Sequence, residues 1–131
     1  MNRNYKFRVD KYPLKVKKAD GDQLYFGEGL NYKTEKSGYL DLYFTDNTRH
    51  CMPYNYLIYV RLEQEDNLQV IKLFQTTHMI VIKGFRLNGL YENIMDQNLK
   101  YIKESLETHI AIADEEEPFI KSIKIEWHSK N

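Results

Sequence analysis

Between residues 55 and 83 the apolar positions fall into step with a period of two. Tyr56, Ile58, Val60 and Leu62 share one parity, while Asn55, Leu57, Tyr59 and Arg61 hold the other. Successive side chains leave a strand on opposite sides, so such alternation marks a strand with one buried face. Glu65-Asp66-Asn67 then reverses the chain. In the next run Leu68, Val70 and Phe74 lie on one side, with Ile71 and Leu73 on the other. Gln75-Thr76-Thr77 forms a second short link, followed by Met79-Ile80-Val81-Ile82 and an end at Gly84. Links this short exclude parallel pairing, which needs a crossover of about a dozen residues. The pattern predicts an antiparallel meander over 55–83.

Upstream the same period recurs in weaker form. Residues 5–18 read as an extended basic segment, with Tyr5, Phe7 and Val9 alternating with Lys6, Arg8 and Asp10. Pro13 interrupts it, which places a bend or a sheet edge there. Leu14 and Val16 resume the alternation, and Asp20-Gly21-Asp22 signals a turn before a short strand over 24–26. Residues 31–38 read as a polar loop. Tyr39 to Phe44 then sets Leu40, Leu42 and Phe44 on one face, Thr45-Asp46-Asn47 turns, and Arg49 to Met52 returns as far as Pro53.

Downstream the period changes. Leu87, Leu90, Tyr91, Ile94 and Met95 have helical spacing, with Asn88 as N-cap and Glu92 in the early turns. The phase carries on through Leu99, Ile102, Leu106 and Ile110, so one helix to 112 fits. A break at Asp96-Gln97-Asn98 followed by a second element from Leu99 fits equally. Pro118 ends whatever precedes it, and Phe119 to Trp127 reads as a last strand with one slip in its alternation. The assembled expectation is an α+β chain forming one domain over 1–131. It is mainly antiparallel β-sheet, a curled roll or open barrel, with a helix in the C-terminal third packed on one face or end.

Composition changes this picture in one respect. Hydrophobic residues make up 42% and charged residues 29%, ordinary for a folded domain, but aromatics reach 14% because there are 11 tyrosines. Tyrosine joins an apolar body to a polar tip, which suits both strands and recognition surfaces. Tyr39, Tyr43, Tyr56 and Tyr59 are therefore the candidate interaction surface, and a protein is the expected partner. Formal charge is zero, so no global field favours nucleic acid or an anionic membrane. Residues 1–20 nevertheless carry seven Lys/Arg against two Asp. Lys15, Lys17 and Lys18 in this stretch are the candidate contacts for the alternative, a nucleic-acid binder. One cysteine excludes an intrachain disulfide, and neither a signal peptide nor a spanning segment is evident, which predicts a cytoplasmic protein without a membrane partner.

Candidate chemistry is sparse. His50, His78, His109 and His128 lack metal-ligand spacing, so neither metal nor cofactor is expected. His50 and Cys51 are adjacent, but strand neighbours face opposite ways, and Cys51 reads as a buried or half-buried structural residue. Asp114 to Glu117 reads as a solvated loop, lacking the glycine of a calcium loop. Gly84 to Gly89 lies where phosphate loops occur, yet matches neither nucleotide fingerprint. No catalytic set is assigned. An enzyme would need a pocket that gathers His78 or His50 with a carboxylate.

Overall fold

A computed structural model describes residues 14–17, 23–26, 28–29, 31–105 and 117–128. The expected segment 5–13, the Asp20-Gly21-Asp22 turn and any helix over 106–112 lie outside the described residues. Ten strands and one α-helix are present among those described. β1 (Leu14–Lys17) and β2 (Gln23–Phe26) form an antiparallel pair with Leu14 opposite Phe26. β3 (Tyr32–Thr34), β4 (Tyr39–Tyr43), β5 (Arg49–Pro53) and β9 (Leu99–Lys103) make a four-stranded sheet in the order β3-β9-β4-β5. β6 (Tyr59–Glu65), β7 (Leu68–Phe74), β8 (His78–Phe85) and β10 (Phe119–Trp127) make a second, in the order β10-β8-β7-β6. Among the described residues every pairing is antiparallel except β4 with β9, and the sheets do not close into a barrel. α1 (Asn88–Met95) connects β8 to β9.

The expected meander is there as β6–β7–β8, with Ile71 opposite Leu62 on one side and Ile82 on the other. Its start is corrected. Pro53 ends β5, and Tyr54–Tyr56 winds into a 3-10 turn whose Tyr54 carbonyl accepts from the Leu57 N–H at 3.1 Å. Regular alternation therefore begins at Tyr59. Val60 and Leu62 pack on the core as their parity predicts, whereas Tyr56 and Ile58 are turned outward.

Two further corrections concern residues 31–38 and the helix cap. The segment expected to be a polar loop contains β3, with Tyr32 fully buried opposite Ile102. Of the two readings of the helix, the structure has the break: α1 stops at Met95 and a new element begins at Leu99. Gln97 takes a left-handed backbone (φ 54°), and the Asn98 N–H donates to the Asn93 carbonyl at 2.8 Å, turning the chain into β9. Asn88 is not the cap. Leu87 precedes the helix without any side-chain cap, and its N–H donates instead to Gln69 Oε1. Full burial of Leu87 overrides the capping preference. The slip in the last strand is a register shift between Ile120 and Ser122 against β8, which lets Ile120 and Ile123 both face inward.

One apolar cluster joins these elements: Leu40, Leu42 and Met52 from the first sheet, Ile71, Leu73, Ile80 and Ile82 from the second, and Leu87, Leu90 and Ile94 from the helix region. Each such side chain contributes roughly 1.5–3 kcal/mol by leaving water. β8 and β10 approach closely at Gly84, since a Cβ there would sit 1.9 Å from the Phe119 carbonyl oxygen.

Candidate recognition surface

Residues 53–60 run from the edge of one sheet to the edge of the other, and their anchors decide which side chains remain free. Tyr54 is buried; its hydroxyl donates to the Leu99 carbonyl at 2.7 Å and its N–H to the Gly38 carbonyl at 3.0 Å. Burial pushes the Tyr54 phenol well above its ordinary range, so it stays a neutral donor. Leu57 packs against the core, and the Ile58 N–H donates to the Phe74 carbonyl at 2.8 Å. With these points fixed, Tyr56, Ile58 and Tyr59 project outward, at 67%, 60% and 52% exposure. Tyr59 is stiffened by stacking on Phe74, centroids 4.3 Å apart.

Two open pockets border this ledge, and Leu57 and Ile58 line both. One of about 320 Å³ is lined by Tyr54, Leu57, Ile58, Tyr59, Ile94 and the exposed Met95. The other, about 420 Å³, is lined by Tyr56, Leu57, Ile58, Gln75, Thr77 and His78. His78 lies among aromatic and imidazole rings. It is edge-on to His50 at 5.4 Å and tilted on Trp127 at 4.6 Å, and its Nδ1 is 2.8 Å from Thr77 Oγ1. His128 Nε2 lies 3.2 Å from the Gln75 carbonyl oxygen. The Nε2 atoms of both His78 and Gln75 are buried without a hydrogen-bond partner among the described residues. Burial, with smaller contributions from His50 and His128, depresses the His78 pKa, so the ring is mainly neutral at pH 7. Among the described residues no Asp or Glu pairs with His50 or His78, and no group of three His, Cys, Asp or Glu is placed to hold a metal ion.

Four tyrosines were singled out from sequence, and the structure divides them. Tyr56 and Tyr59 stand on the ledge. Tyr39 and Tyr43 stand on the outer face of β4, where cross-strand register sets Lys103, Tyr43 and Arg49 in one row and Tyr101, Asp41 and Cys51 in the next. The Tyr43 and Tyr101 rings meet edge to face at 5.4 Å. Arg49 lies 4.5 Å above the Tyr43 ring, and Lys103 Nζ lies 5.3 Å from Tyr43 and 5.2 Å from Tyr101. Arg49 also pairs with Asp41, which raises the guanidinium pKa further. The Tyr101 hydroxyl donates to the Glu28 carboxylate; burial first, then Glu28, holds that phenol far above its usual range.

Other expectations fare differently. His50 and Cys51 do face opposite ways, but Cys51 is exposed rather than half-buried. Desolvation and Asp41 push its thiol pKa up, which removes the basis for a thiolate–imidazole pair. Of the acidic run 114–117 only Glu117 is described, and it is buried, its carbonyl accepting from Arg86 Nε at 2.7 Å. Lys15 and Lys17 lie on β1, and Lys18 is outside the described residues. Ile58, Met95, Trp127, Tyr101 and Lys103 were missed by sequence reasoning. The one available signal was Trp127, which shares the parity of Ile123 and Ile125 yet falls beyond the core. Among the described residues no helix is long and apolar enough to cross a membrane. Comparison with protein-family models, curated proteins and solved structures finds no match.

Proposed function

We propose that this protein is a non-catalytic recognition module that binds a protein partner on the Tyr56–Ile58–Tyr59 ledge. The observation that carries this reading is Ile58, an exposed branched side chain that lines both pockets. Scattered exposed apolar residues are normal, but a contiguous group beside cavities is the composition of an interface centre. Tyr56 and Tyr59 supply wide, stiff contact area at small entropic loss. The cavities take apolar side chains of the partner, and Met95 adapts to them. In this reading the two sheets form an open roll within a single domain, with α1 at one end, and that scaffold holds the ledge rigid.

A photoreactive residue placed at position 58 tests the reading in the cells that make the protein. The expected result is one dominant cross-linked protein, also captured from position 56 but not from the exposed Gln64. With that partner purified, Ile58→Asp weakens binding by about 2 kcal/mol or more, the scale of an interface hot spot. A smear of products at position 58 no different from that at position 64 would falsify the ledge as an interface. Nucleic-acid binding through Lys15, Lys17 and Lys18 is the competing reading; it requires salt-dependent retention that is lost when those three lysines are replaced.

A further inference from the structure

On the outer face of β3-β9-β4-β5, aromatic rings and cations share one surface. On a lone strand the alternating arm at residues 5–18 would send rings and charges to opposite sides, whereas here neighbouring strands bring them together. Lys103, Tyr43 and Arg49 sit side by side from three strands, and Tyr101 touches both Tyr43 and Lys103. Tyr39, 41% exposed, continues the same face of β4. Asp41 is matched by Arg49 and the Glu28 carboxylate by the Tyr101 hydroxyl, while Lys103 has no carboxylate partner among the described residues.

We propose that this face binds single-stranded nucleic acid, with bases stacked on Tyr39 and Tyr101 and phosphates held by Lys103 and Arg49. Stacking is tolerant of sequence because every base has a π face, and cations beside the rings follow the backbone. The three rings select this ligand over a phosphorylated peptide, which would use the cations and leave the aromatic surface idle. A double helix hides its bases and needs a helix or ribbon to enter a groove, which a broad sheet face does not provide. Arg49 is already neutralised by Asp41, so Lys103 sets the salt dependence, which is shallow, a slope of about −0.7 in log–log form.

Fluorescence anisotropy of a labelled oligothymidylate of about 15 nucleotides, within the range one such surface covers, tests this on the full chain. At low salt the expected result is saturable binding at least about tenfold tighter than to a duplex of the same length. Lys103→Ala and Tyr101→Leu each weaken it about tenfold, in line with the loss of one phosphate contact or one stacked base. Lys103→Ala leaves every ring in place, so the test survives if a tyrosine variant is poorly folded. Ile58→Asp leaves oligonucleotide binding unchanged, which separates this site from the ledge. The proposal is overturned by absence of binding at low salt, by equal affinity for the duplex, or by a loss that follows Lys15, Lys17 and Lys18 while Lys103→Ala binds normally.

Discussion

His78 is a neutral imidazole held among rings, and its depressed pKa links stability to pH. In the unfolded chain a histidine titrates near 6.5; burial, then His50 and His128, put the folded-state value below that. Between the two values the unfolded chain binds more protons, so stability rises with pH there. The contribution is complete above about pH 6.5 and is lost as pH falls through the folded-state value. Thermal melting at pH 5.5 is therefore expected below that at pH 7.5, with a smaller difference in His78→Gln. Trp127 is the only tryptophan and lies against this ring, so its emission should fall with the same midpoint as His78 gains a proton. Identical pH profiles for the parent and His78→Gln would mean that His78 does not carry the effect.

At the level of elements, β8 and β10 leave no room for a side chain at Gly84. Gly84→Ala places a methyl group against the backbone oxygen of Phe119, and neither strand can yield without breaking its ladder. A loss of about 1–3 kcal/mol or more is expected, read as a lower urea midpoint; an unchanged midpoint would mean that the two strands sit further apart. This strand pair also shows what local pattern can reveal. The break in alternation near Lys121 was visible in sequence and is a true register shift, because a bulge leaves its trace in the residues that carry it. β3 left no such trace. Its three residues are held by β9, about 70 positions away, and a pairing that remote leaves no local period. The helix could be read, but its end stayed open between 96–98 and 112, since apolar residues of β9 happen to continue the helical phase. The site followed the same rule. Tyrosines on strands were legible one at a time. The partners His50, His78 and Trp127 come together only through cross-sheet packing, and the Lys103–Tyr43–Arg49 row only through register.

Across the whole molecule, both sheets and the helix share one apolar cluster, so they are expected to lose structure together. Leu73→Ala, at the centre of that cluster, should destabilise by about 2–5 kcal/mol. Far-UV dichroism and Trp127 emission should still report a single coincident transition; two separate transitions would show that the sheets are independent units. The place of β9 has a consequence for how the chain reaches this state. β4 and β5 can zip together as soon as they exist, yet β3 and β4 are never neighbours, because β9 lies between them and is made some 60 residues later. Until the intervening hairpins and helix are in place, Leu40 and Leu42 wait without their cover, and a half-emerged chain on the ribosome holds an open slot. Completion of the first sheet thus waits on β9, a late strand that must take its place between two earlier ones.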